Sequence, residues 1–223
     1  MRKISALVLF VALLQVFSNQ VNAQRRDTFN KEIEAFETQD QANPPKEGGI
    51  VFVGSSSFKL WTDVQDYFPG YNIINRGFGG SSLPDVIQHA SSTIYKYKPS
   101  QVFIYCGEND FYSTVNTNAD TIYNRFTKLF GMIRNELPQT QVVYISMKPS
   151  VSRLKHLPEM RRANEMIRKY LTKQKRTAFI DVYSKMILAD GSPMPDIFKS
   201  DNLHMNEKGY AIWQKAIKPY LKK

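Results

Sequence analysis

Four short blocks, met in one order along the chain, carry groups suited to acyl transfer: Gly54-Ser55-Ser56-Ser57, Asn75-Arg76-Gly77-Phe78-Gly79-Gly80, Gly107-Glu108-Asn109-Asp110 and Asp201-Asn202-Leu203-His204. A hydroxyl nucleophile needs a base to take its proton. The base needs an acceptor that fixes its ring, and the developing oxyanion needs fixed N–H donors. Ser56 is the candidate nucleophile, His204 the base, Asp201 its orienting acceptor, and Ser56, Gly80 and Asn109 the oxyanion donors. No block is specific alone, because Gly, Ser, Asn and Asp also serve ordinary turns and helix caps. Their ordered combination is the signal.

His204 discriminates best. Of the histidines at 89, 156 and 204, only His204 has a carboxylate at i−3. That spacing lets Asp201 accept from Nδ1–H and leaves Nε2 for the serine proton. Metal binding is the competing use of such a pair, but two ligands without further Cys or His nearby make a poor site. A serine at the turn from a strand into a helix presents its own N–H to an oxyanion, so Ser56 can act as nucleophile and donor together. Ser55 and Ser57 are its local competitors, and no Gly-x-Ser-x-Gly elbow is present.

These groups need a scaffold that brings distant turns together. Short apolar segments at Ile50–Val53, Tyr71–Ile74, Gln101–Cys106, Gln141–Ser146 and Ala178–Val182 read as strands, each followed by a helical pattern. Ile122, Phe126, Leu129, Ile133 and Leu137 form one helical face, and Met160, Ala163, Ile167 and Leu171 another. A last helix opens after Asn206 as N-cap, with Tyr210, Trp213, Ile217 and Leu221 inward. Near-continuous apolar strands alternating with helices predict a five-stranded parallel sheet in a three-layer α/β/α sandwich. Ligands of such sheets sit beyond the carboxyl ends of the strands, where Ser56, Gly80 and Asn109 fall.

The N-terminus reads as a cleavable signal peptide over residues 1–23. Arg2 and Lys3 precede the apolar run Ile4–Phe17, and Val21-Asn22-Ala23 offers small residues before cleavage ahead of Gln24. The run falls short of the roughly 20 residues that span a bilayer, so the expected location is secreted or periplasmic with no membrane span in the mature chain. Residues 24–49 form a helix, with the stripe Phe29, Ile33 and Phe36, and a Pro- and Gly-containing linker; residues 50–223 form one domain. Cys106, the only cysteine, excludes an internal disulfide and reads as a buried thiol. Thirty basic residues against 20 acidic leave a positive excess, but the charges are scattered and export argues against nucleic acid.

Taken together, the blocks resemble the SGNH hydrolases, the GDSL-type esterases and lipases, whose hallmark residues are Ser, Gly, Asn and His. The similarity runs from about Ile50 to Leu221. It implies Ser56 as nucleophile, Gly80 and Asn109 as oxyanion donors, His204 as base with Asp201, a flavodoxin-like strand order and no cofactor. Where the family has Gly-Asp-Ser, this chain has Gly54-Ser55-Ser56. The Gly-Ser-Ser-Ser form followed by Trp61 looks most like the branch near platelet-activating-factor acetylhydrolases and bacterial acylhydrolases. The expected activity is hydrolysis of short acyl esters, acetyl foremost, on a small molecule or a glycan. A lysophospholipase or thioesterase of the same fold and a catalytically silent binding protein are the alternatives. Phe111 and Tyr112, with the Lys185–Ser200 segment, are expected to wall the site. Phe58 and Trp61 would join them if exposed, core packing being the other use of such rings.

Overall fold

Five strands, each five residues or fewer, form one parallel sheet in the order β2-β1-β3-β4-β5. The structure, a computed structural model, describes residues 29–113 and 116–223. The strands are β1 (Ile50–Gly54), β2 (Ile73–Gly77), β3 (Gln101–Tyr105), β4 (Gln141–Ile145) and β5 (Thr177–Ile180). The chain divides into two compact units, residues 1–44 and 45–223. In the first, α1 (29–42) carries the Phe29, Ile33, Phe36 stripe; the signal-peptide reading falls outside the described residues.

In the second unit, the single turns α2 (Ser56–Lys59) and α3 (Val64–Tyr67) follow β1, while α4 (Leu83–Gln88) and α5 (Ala90–Thr93) follow β2. Next come α6 (Asp110–Ser113) and α7 (Ala119–Glu136) after β3, α8 (Leu157–Leu171) after β4, and α9 (Glu207–Ile217) after β5.

Strand parity assigns the two layers. Phe52, Phe103, Tyr105, Val143 and Ile145 face one side, where Phe58, Trp61 and Trp213 pack in the same core. Val51, Val53, Ile104 and Tyr144 alternate to the other side, where Phe126 of α7 meets the Tyr144 ring at 4.8 Å. Helices therefore cover both faces, as expected from strands that are apolar throughout. The buried faces of α7 and α8 are the helical stripes read from sequence, apart from Leu137, which caps α7. Asn206 caps α9 by accepting from Lys208 N–H and Gly209 N–H.

Two expectations need correction. β2 begins at Ile73 and runs through Asn75, Arg76 and Gly77, because its register follows β1, Ile50 opposite Ile73 and Gly54 opposite Gly77. Polar residues fit this sheet-edge strand once bonded: Asn75 Nδ2 donates to Phe58 O and Trp61 O, and Arg76 Nε donates to the Tyr97 hydroxyl. Phe58 and Trp61 are fully buried core residues rather than walls of a site. Trp61 stacks on Tyr210 with ring centroids 4.8 Å apart.

In this strand order the connections from β1 and β3 leave in opposite directions, and the crevice lies between their carboxyl ends. Ser56 follows β1 by two residues and Asn109 follows β3 by four.

Candidate active site

The first turn is forced by a glycine. Gly54 has φ +139, and a Cβ there would stand 1.9 Å from Tyr105 O, so only a bare backbone can end β1 this close to β3. Ser55 N–H then donates to Tyr105 O at 3.0 Å. Of the three serines that follow, Ser55 and Ser57 are buried and Ser56 alone is partly exposed. Ser56 opens α2, so no earlier helical carbonyl accepts its N–H. That single turn offers an oxyanion one N–H rather than the dipole of a long helix.

The second and third turns are tied to each other. Phe78 N–H donates to Gly54 O, and Gly80 takes the left-handed φ of +73 with open space where a Cβ would project. Asn109 Nδ2 donates one hydrogen to Ser81 O at 3.1 Å, and its amide carries a second. Buried charges flank Asn109. Glu108 accepts from Lys148 Nζ at 3.0 Å and from the Tyr105 hydroxyl at 3.0 Å. Asp110 accepts from Leu83 N–H at 2.9 Å and Arg125 at 2.7 Å. Burial pushes the Asp110 carboxyl up, and the bonds from Leu83 and Arg125 oppose that shift. Cys106 is buried and its thiol is pushed well up by burial, so it is inert beside this site.

The fourth block lies on a loop before α9. Asp201 Oδ1 accepts from the N–H groups of Leu203 and His204, both at 2.9 Å, and Oδ2 meets His204 Nδ1 at 2.6 Å. Burial opposes the Asp201 charge, but the His204 ring bond and these two backbone bonds outweigh it and hold the carboxyl at about 2. An ionised Asp201 assigns the proton to Nδ1. Nε2 is then the acceptor, and it lies 3.0 Å from Ser56 Oγ. The loop is stapled by Lys199 N–H to His204 O (2.7 Å) and Ser152 N–H to Asn202 O (3.1 Å). Asn202 has φ +56, a left-handed conformation that asparagine tolerates.

Ser56, Gly80, Asn109 and His204 line one open cleft of about 400 Å³. Lys59, Leu60, Gly79, Arg153 and Leu203 complete its walls, and the sequence assigned none of the five a role there. Phe111 and Tyr112 do not line it. Phe111 is buried and stacks on His156 at 5.0 Å, while Tyr112 is exposed and lies under the Arg153 guanidinium. No residue of the Lys185–Ser200 segment lines it either. A larger groove of about 650 Å³ beside α8, lined by Arg161, Glu165 and Arg168 among others, holds no nucleophile and base in partnership. Among the described residues, no three of His, Cys, Asp and Glu gather as metal ligands, and no helix is long and apolar enough to cross a membrane. The arrangement can deprotonate a hydroxyl and receive an oxyanion beside it, which is the chemistry of acyl transfer.

Solved structures share this fold. A platelet activating factor-like protein of Streptococcus pneumonia superposes with a TM-score of 0.77 at 18% identity, covering 91% of this chain and 98% of its own. A GDSL-like lipase of Bacteroides thetaiotaomicron gives 0.73 at 20% identity, covering 84% and 96%. A variant of an acetyl-xylooligosaccharide esterase from Geobacillus gives 0.62 at 14%, covering 80% and 97%. No curated protein matches the chain's sequence. The model of the GDSL-like lipase/acylhydrolase family matches residues 52–212. With most of its length inside that match, the chain belongs to the GDSL-like lipase/acylhydrolase family and is an ester-hydrolysing enzyme.

Proposed function

We propose that this enzyme is an exported serine esterase that removes short acyl groups, acetyl foremost, from hydroxyls of a carbohydrate or similar small alcohol. Ser56 Oγ attacks the ester carbonyl while His204 Nε2 takes the hydroxyl proton. The oxyanion is received by the N–H groups of Ser56 and Gly80 and by Asn109 Nδ2–H. The carbon–oxygen bond to the alcohol breaks, and His204 returns its proton to that oxygen. Water then attacks the acyl-Ser56 with His204 again as base, releasing the carboxylic acid and restoring the hydroxyl.

The observation that carries this reading is the continuous chain from Asp201 through His204 to Ser56, at 2.6 and 3.0 Å, in one cleft with Gly80 and Asn109. Short acyl groups suit a cleft of about 400 Å³ walled partly by Lys59 and Arg153. The Geobacillus esterase of like fold acts on acetylated xylooligosaccharides, which is the substrate chemistry proposed here. Export rests on Arg2-Lys3, the apolar run and the small residues through Ala23.

Comparison of kcat/KM for acetyl, butyryl and octanoyl p-nitrophenyl esters, with acetate release from acetylated oligosaccharides, tests the substrate. Acetyl should lead. A preference for octanoyl with no acetate released moves the reading to a lysophospholipase or thioesterase. Protein recovered outside the cytoplasm should begin at Gln24.

A further inference from the structure

One cation in the cleft has surroundings that neither the hydrolytic machinery nor core packing explains. Arg153 belongs to the 3-10 turn Val151–His156 ahead of α8 and lines the cleft with Ser56, Asn109 and His204. Its guanidinium lies 3.7 Å from the centroid of the Tyr112 ring. That ring is itself braced, meeting His156 edge-on at 5.1 Å, with Phe111 stacked on the same imidazole at 5.0 Å. Burial, then Lys155 and Arg153, lower the His156 pKa from its ordinary value, so at neutral pH the charge of this stack belongs to Arg153.

Other arginines are bonded: Arg76 to the Tyr97 hydroxyl and Asn75 O, Arg134 to backbone carbonyls, and three more to carboxylates. Arg125, Arg162 and Arg168 meet Asp110, Asp120 and Glu165 at 2.7, 2.8 and 2.7 Å. Arg153 has no such partner among the described residues, and its Nε is buried without a hydrogen bond. No Asp or Glu lines the cleft to compete, and Lys59 adds a second cation to its wall. A guanidinium resting 3.7 Å over a ring keeps its planar fork, whose paired N–H groups match a carboxylate or phosphate.

We propose that Arg153 is a specificity residue that binds an anionic oxygen group, carboxylate or phosphate, on the alcohol portion of the ester. The proposal rests on the short-acyl reading above: an acetyl group has no room for a second charge, so the anion belongs to the alcohol.

The test uses purified enzyme at low ionic strength and three acetates of one ring: 4-acetoxybenzoate, 4-acetoxyphenyl phosphate and the neutral methyl 4-acetoxybenzoate. Each kcat/KM is divided by the ester's own hydroxide-catalysed rate. At least one charged ester should exceed the neutral one by about 10- to 100-fold, the span of a hydrogen bond to a charged group, and which one leads separates carboxylate from phosphate. Added salt should shrink the preference. Arg153→Met should bring the ratio near one. Arg153→Lys, a milder change that keeps the charge without the fork, should keep only part of it. Equal values for charged and neutral esters in the wild type overturn the proposal, as does a preference that survives Arg153→Met. Hydrolysis of p-nitrophenyl acetate with none of the three esters cleaved overturns it too. Failure to cleave p-nitrophenyl acetate as well overturns the esterase reading itself.

Discussion

The oxyanion side and the base side of the cleft are held by different forces. Asn109 stands between two buried charges, Glu108 paired with Lys148 and Asp110 paired with Arg125. The side chains of Lys148 and Glu108 are 0% and 2% exposed. Asp201 and His204 stand on a surface loop with side chains 47% and 26% exposed, held by backbone hydrogen bonds and the Asn206 cap. A buried ion pair fixes its turn because moving either partner strands a charge in a medium that cannot solvate it. A hydrogen-bonded loop yields more cheaply, since water replaces what it loses. In the proposed mechanism Asn109, which would meet a developing charge without reorganising, thus sits on the stiffer half. The side proposed to exchange protons with water and alcohol keeps solvent access.

Breaking the exposed half should cost activity without stability. Asp201→Asn removes the charge that assigns Nδ1–H, and kcat should fall by roughly 10⁴-fold with little change in melting temperature. Near-normal kcat in the variant would remove Asp201 from the mechanism. The Asp201 carboxyl is held below its unfolded value of about 3.9. Its small contribution to stability is therefore present above that value and lost as the pH falls toward about 2.

Breaking the buried half should cost stability first. Lys148→Met leaves Glu108 as an uncompensated buried charge, for a loss of about 3–5 kcal/mol in urea unfolding. Adding Glu108→Gln should return part of it, a coupling that independent sites would not show. A loss below about 1 kcal/mol would mean the pair is solvated and the contrast is wrong.

The exposed half was the more legible in sequence. Asp201 and His204 are three residues apart and make their bond locally, so spacing alone exposes it. Glu108 and Lys148 are 40 residues apart and meet only because β3 and β4 are adjacent, which no local pattern reports. Strand positions were readable where burial is continuous, as in Gln101–Tyr105. They slipped at β2, where Asn75 and Arg76 are satisfied by partners distant in sequence. Phe58 and Trp61 misled as exposed rings because their turn sits at the site while their side chains face the core. Arg153 gave no signal at all, since its meaning lies in the Tyr112 ring and not in its neighbours along the chain.

On the stiff half, Asn109→Ala should lower kcat by about 10²- to 10³-fold, 2.7–4 kcal/mol, with KM little changed. Unfolding should move much less than in Lys148→Met, because Asn109 is only partly buried and its one recorded side-chain bond goes to Ser81 O. Unchanged kcat in the folded variant would leave Asn109 a turn residue only.

The smallest effect should come from Asn206, whose side chain supports the base half in two separable ways. Its Oδ1 caps α9, accepting from Lys208 N–H at 3.0 Å and Gly209 N–H at 3.3 Å. Its Nδ2 donates to Asp196 O at 2.9 Å and Phe198 O at 3.1 Å, drawing the 3-10 turn Pro195–Ile197 before the base loop against the helix start. Asn206→Ala loses both functions and should destabilise by about 1 kcal/mol, as loss of an N-cap does. Asn206→Ser restores the cap but not the two carbonyl bonds, so it should recover most of the melting temperature. If the loop is held by such bonds rather than by burial, kcat in Asn206→Ser should stay several-fold below wild type while stability returns. Recovery of kcat together with stability would show that the cap alone positions His204.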